Sequence, residues 1–211
     1  MLSAVTILAL ADKGELDKIM ELCKQEILLE SAKEIGGNTL AKRIKSAQSL
    51  IKKVGEQSFP LCGAVIREMP DGRKYQQFTN RHIGFMLYDE LPGLPQGDVT
   101  KGLNVYNLIQ ETERRMQVKQ EYEIDIVAVK AHVKAFKAVH KSNAFIAEWK
   151  VGVCRHDAQH IFDAYSILGG DIKFYQCNQN QREYAILESE NGKAVICPLR
   201  PKDGGDCGKD D

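Results

Sequence analysis

Cys154, His156, Asp157 and His160 sit together in one short stretch and are the residue types most able to do chemistry. On a helix, His156 and His160 fall four apart on one face, a spacing at which two imidazoles can ligate a metal. A zinc-hydrolase helix of the H-E-x-x-H type also needs a glutamate beside the first histidine. Asp157 stands there instead and suits a helix N-cap. Pairing His82 with Cys62 is weaker, because nothing in the sequence brings them together. The six cysteines, Cys23, Cys62, Cys154, Cys177, Cys197 and Cys207, form no C-x-x-C pair and read as reduced thiols packed among apolar neighbours. Gly36-Gly37 and Gly169-Gly170 read as helix terminators rather than phosphate cradles. Trp149, the only tryptophan, reads as core. No catalytic residue, metal or cofactor is expected.

The second kind of chemistry is electrostatic. Lys42, Arg43, Lys45, Lys52 and Lys53 crowd one segment with no acid among them, and Lys130, Lys134, Lys137 and Lys141 recur at steps of three or four. Spaced basic residues on a helix suit phosphate contacts, which are indifferent to base sequence, and equally suit a solvated face. Lysine plus arginine equals aspartate plus glutamate, 29 each, so any field that attracts nucleic acid is local.

Apolar spacing defines the elements that must carry these groups. Val5 to Ala11 predicts a short helix that is soon followed by Asp12 and Lys13. It lacks the basic start of a signal peptide and the length of a membrane span, so a cytoplasmic protein is expected. Residues 14–31 form an amphipathic helix through Leu16, Ile19, Met20, Cys23, Ile27 and Leu28, ended by Gly36-Gly37. A second helix, 39–54, buries Leu40, Ile44, Ala47, Ile51 and Val54. After Pro60 the period drops to two, predicting strands at 61–68, 74–79 and 82–88 with a Pro70-Asp71-Gly72 turn. Residues 89–102 are a loop, and helices follow at 103–116 and 126–140. A β pattern at 144–154 leads to a helix at 156–168, then strands at 171–177, 183–189 and 193–199, the last two joined by Asn191-Gly192 in a type I′ turn. The tail from Pro201 is expected to be disordered.

Residues 151–200 thus read strand, helix, three strands, and a similar order runs from Leu40 to Leu87. Two such half-modules imply a pseudo-symmetric α+β domain at 38–200, with an N-terminal helical extension at 1–37, a helical insertion at 89–142 and a tail at 201–211. The pieces resemble a domain of the bacterial sliding clamp, the beta subunit of the replicative DNA polymerase. Leu61-Cys62-Gly63-Ala64-Val65-Ile66 is similar to the first strand after that family's leading helix. Phe78-Thr79-Asn80-Arg81-His82-Ile83-Gly84-Phe85 is similar to its Thr-Asp-Gly-His-Arg-Leu element, with Asn80 and Arg81 at the acidic and glycine positions. Val195-Ile196-Cys197-Pro198-Leu199-Arg200 resembles its Val-Val-Met-Pro-Met-Arg segment.

The resemblance implies a clamp-like fold and a non-enzymatic accessory role in DNA replication or repair, of phage or mobile-element type given the single domain. It implies double-stranded DNA against the basic helices, and a polymerase-associated or repair partner in a cleft near Thr79, Arg81, His82, Ile83, Val195, Ile196, Pro198, Leu199 and Arg200. That cleft forms between neighbouring domains, so a second copy of the chain is an implied partner. The plainer reading makes Val195, Ile196 and Leu199 the end of an edge strand. A clamp-fold protein that regulates a partner without encircling DNA is the alternative function.

Overall fold

The computed structural model describes residues 4–116, 119–140, 146–176 and 183–200. Helix α1 (Ala4–Ala11) precedes a long helical run, α2 (Leu16–Lys52). A 3₁₀ turn (Glu56–Ser58) and one turn of helix, α3 (Phe59–Cys62), lead into β1 (Val65–Glu68), β2 (Lys74–Thr79) and β3 (Ile83–Leu87). Then come α4 (Val105–Arg115), β4 (Gln120–Tyr122), α5 (Ile126–Val139), β5 (Glu148–Val151), β6 (Cys154–Asp157), α6 (Ala158–Leu168), β7 (Lys173–Gln176), β8 (Ala185–Ser189) and β9 (Gly192–Ile196).

The α+β architecture rests on a seven-stranded antiparallel sheet in the order β1-β2-β3-β9-β8-β7-β4. Two three-stranded meanders, β1-β2-β3 and β7-β8-β9, meet where β3 pairs with β9, Ile83 opposite Ile196 and Leu87 opposite Gly192. The leading strand expected in each half departs from this pattern. The first half has none, because the residues before it are helical. In the second half β6 pairs only with β5, in a separate two-stranded sheet. The edge strand expected at Val195 and Ile196 is interior, flanked by β3 and β8.

Alternation along the strands sends side chains into two cores. Phe85, Leu87, Leu187, Ala194 and Ile196 face the helices, among Ile44, Leu50 and Ile51 of α2, Ile161 and Ile167 of α6, and Val129 and Val133 of α5. Met86, Ile186 and Val195 face the other way, onto Val105 and Ile109 of α4. A Cβ on Gly84 would meet Val105 Cγ1 at 3.1 Å, so glycine lets α4 lie close on the sheet. On the helical side, α6 packs against both α2 and α5.

Helical structure in α2 does not stop at Gly36-Gly37, the expected terminator, but the chain changes direction there. Its helical hydrogen bonding runs through both glycines, yet Gln48 Nε2 donates to Gln25 Oε1 at 2.5 Å. Twenty-three residues of straight helix would span about 35 Å. The run therefore doubles back between these residues, and its midpoint falls at Gly36-Gly37. Two arms result, the first ending in the buried Ala32 and the second opening at the buried Ala41. Ala32 belongs to the same apolar cluster as the sheet, so the expected N-terminal extension shares the main core.

Three smaller corrections follow from local chemistry. Leu61 and Cys62 are helical rather than extended, because Pro60 occupies the first turn, where its missing N–H costs nothing. His156 and Asp157 end β6, and α6 starts at Ala158. Ser189 pairs with Gly192, which leaves Glu190 and Asn191 as the hairpin loop. Neither has positive φ, so the turn is not type I′. Gly192 is required for another reason: a Cβ there would collide with the Met86 carbonyl oxygen. Among the described residues no helix is long and apolar enough to cross a membrane. The tail from Pro201, Lys141, Cys177 and Cys207 lie outside the described residues.

Candidate functional site

The turn between β2 and β3 is built by its own polar side chains. Asn80 Oδ1 accepts from the backbone N–H of His82 (3.0 Å) and Ile83 (2.9 Å), while Thr79 Oγ1 accepts from Arg81 N–H (2.9 Å) and donates to Ile83 O (2.8 Å). These bonds force Arg81 to φ 77°, the only positive φ at a non-glycine among the described residues. A left-handed arginine costs about 1–2 kcal/mol, and strain of this kind concentrates at functional turns. The Arg81 side chain crosses to Ser58, donating from Nη2 to Oγ at 3.0 Å.

The carboxyl-terminal segment meets this turn within one chain. Cys197 N–H donates to His82 O (2.8 Å), and Leu199 N–H donates to Arg155 O on β6 (2.7 Å). Residues 197–199 thereby bridge the large sheet and the small one. The residues expected around a cleft are divided between core and surface. Thr79, Ile83, Val195 and Ile196 are buried, Val195 under α4 and Ile83 and Ile196 under the helices, because they lie on interior strands of a sheet covered on both faces. Arg81, His82 and Arg200 are exposed, with Pro198 and Leu199 half-buried between them. What reaches the surface is a polar, partly cationic rim.

Helix α6 completes the rim. Asp157 caps it as the sequence suggests, accepting from Gln159 N–H at 2.8 Å. His160 stacks under His82, ring centroids 5.7 Å apart and planes 18° apart. Its Nε2 lies 3.4 Å from Asn80 Nδ2. Because Asn80 Oδ1 is occupied by the turn, the amide nitrogen faces the ring and His160 Nε2 accepts as a neutral imidazole. Burial lowers the His160 pKa, opposed by Asp157 and reinforced by His82, Lys53 and His156. His156 is fully buried, with Nδ1 3.4 Å from Cys197 O and Nε2 3.2 Å from Gln176 Oε1, and burial lowers its pKa too. The expected helical pair of His156 and His160 is therefore a core histidine on a strand and a rim histidine on a helix. No group of three His, Cys, Asp or Glu among the described residues could hold a metal ion.

The basic segments are sorted by packing. Arg43, expected to face phosphate, is buried instead. Its Nε donates to Ile167 O at 2.7 Å, satisfying a carbonyl that the last turn of α6 leaves open. Lys42, Lys45, Lys52 and Lys53 are exposed on α2 and just after it, and Lys130, Lys134 and Lys137 are exposed on α5. One lysine of each group reaches α6, while Lys45 and Lys52 line the groove beside the first arm of α2. Lys53 Nζ lies 3.9 Å from Asp163 Oδ2, Gln159 Nε2 donates to Asp163 Oδ1 (2.7 Å), and Lys137 Nζ donates to Gln159 Oε1 (2.6 Å). Burial raises the Asp163 pKa, against the pull of Lys53. Asp163 and Gln159 are the residues the sequence analysis passed over; their i, i+4 spacing on a helix without lysine or arginine was the signal for them. Set against family models, curated proteins and solved structures, the chain has no match.

Proposed function

We propose that this chain is a non-enzymatic, clamp-like accessory protein of cytoplasmic DNA replication or repair, of phage or mobile-element type. It holds double-stranded DNA against its helical layer and presents the rim around Arg81, His82 and Pro198 to a polymerase-associated or repair partner. The observation that carries this reading is the approach of Lys53, just after α2, and Lys137, on α5, to the same helix α6 through Asp163 and Gln159. It sets cations from two separate segments beside one helix, a placement that suits phosphate contacts along a duplex. Two further features support it: the helix-and-meander halves joined at β3 and β9, and the positive φ of Arg81 at the position where the resemblance places a glycine.

The test is retention on circular primed DNA against the linearised form, by size-exclusion chromatography with light scattering at low and moderate salt. Salt-sensitive retention, lost on reversing Lys42, Lys45, Lys52 and Lys53 to glutamate, supports the reading. Release on linearisation marks encirclement by an oligomer. A protein that ignores DNA at low salt overturns it. The second reading, a clamp-fold protein that regulates a partner without DNA, is favoured by one observation: Asp163 places a carboxylate between the two lysine flanks.

A further inference from the structure

The first arm of α2 carries an apolar stripe that the fold leaves uncovered. Leu16, Met20 and Ile27 are exposed by 66, 53 and 66%, and Cys23 between them is half-buried. They step by four, three and four residues, the spacing of a coiled-coil seam. At 100° per residue they fall within an arc of about 60°, on the side of the arm away from Leu22, Leu29 and Ala32. The inward residues face the core, and three of the stripe's four side chains stay more than half exposed.

We propose that this stripe is the contact for a second copy of the chain, in an antiparallel two-fold dimer with Met20 packed against Cys23 and Leu16 against Ile27 across the axis. Charge selects this occupant and this direction. Asp17 and Lys24 flank the seam on one side, both exposed, with no ion pair to either among the described residues. In the antiparallel register each Asp17 lies about 3 Å along the axis from the other copy's Lys24, so two ion pairs form by symmetry. A parallel pair would set the two copies of this flank on opposite sides of the seam, where neither Asp17–Lys24 pair forms. The surface is separate from the rim and from the lysines of α2's second arm and α5, so the dimer stands or falls independently of DNA binding.

The experiment is sedimentation equilibrium or light scattering without DNA, across a concentration series from micromolar to several hundred micromolar. The expected result is a mass that climbs from one chain to two. Met20→Glu with Ile27→Glu holds it at one chain. Asp17→Lys alone weakens association about tenfold, and Asp17→Lys with Lys24→Asp restores it. Circular dichroism of each variant matches the parent, because the altered side chains are exposed. A mass that stays at one chain throughout, a dimer that survives the Met20 and Ile27 changes, or a double charge reversal that fails to restore association overturns the proposal.

Discussion

Arg43 and Ile167 are joined by a buried hydrogen bond, Nε to the carbonyl oxygen at 2.7 Å, which fastens the second arm of α2 to the end of α6. Asn191 secures the next carbonyl of the same helix end, donating from Nδ2 to Leu168 O at 2.9 Å. Burial lowers the Arg43 pKa, opposed by Asp89 and Glu190, so the guanidinium stays charged where it is.

Replacing Arg43 with alanine removes a charge-assisted bond and leaves Ile167 O without its donor. The expected loss is about 2–3 kcal/mol in urea unfolding. Lysine does not rescue it, having no nitrogen at the ε position. On the proposed DNA-binding reading, retention by the folded fraction is unchanged, because the group is buried. A selective loss of DNA binding without loss of stability would contradict the structural role given to Arg43.

Stability should fall on the acid side of neutrality. His156 and His160 both have pKa values lowered from 6.5 by burial, so the native state resists protons that the unfolded chain accepts. The contribution is complete above about pH 6.5 and is lost as pH falls through that value toward the lower native ones. Each histidine adds up to about 1.4 kcal/mol per pH unit in that window. Urea unfolding at steps from pH 8 to 5 measures the slope, and His160→Gln should reduce it by up to one proton. An identical slope in that variant would show that His160 does not titrate with folding.

The Arg81 turn makes an ordering testable. Asparagine, which tolerates positive φ, should match or exceed arginine there. Valine, whose branched side chain crowds the left-handed region, should lose roughly 1–2 kcal/mol. Thermal unfolding of the three proteins ranks them. Equal stabilities would mean that the turn relaxes to a different conformation.

On the proposed DNA-binding reading, Asp163 opposes the duplex. Asp163→Asn keeps an oxygen for Gln159 and removes the negative charge between Lys53 and Lys137. Retention should tighten roughly three- to tenfold at low salt, with a steeper salt dependence. Fluorescence anisotropy on a labelled duplex reads both quantities. A variant that binds no better places the duplex away from α6.

The strands were legible because β3, β8 and β9 are short, largely apolar runs bounded by turn residues, the pattern of strands covered on both faces. Helices α4, α5 and α6 were legible for the matching reason, with Val129 and Val133 at the expected inward positions. Legibility ended where a distant element decides. Helical phase puts Arg43 nearer the apolar face of α2 than Lys42 or Lys45, but its partner, an open carbonyl of α6 124 residues away, is invisible to local sequence. Gly36-Gly37 marks the change of direction in α2, but nothing local shows that β9 is covered on both sides, which buries Val195 and Ile196. His156 was placed on the helix because Asp157 marks the boundary from either side, as the end of a strand or as a cap.

The pairing of β3 with β9 also sets a timetable. These strands are separated by roughly a hundred residues, so the first meander leaves the ribosome, at about 5–20 residues per second, well before its partner exists. For those seconds the edge of β3 is an open template of unpaired N–H and C=O groups beside Phe85 and Leu87. The nascent chain is most vulnerable to mispairing in that interval, and a chaperone or a slow stretch of translation would act on it there.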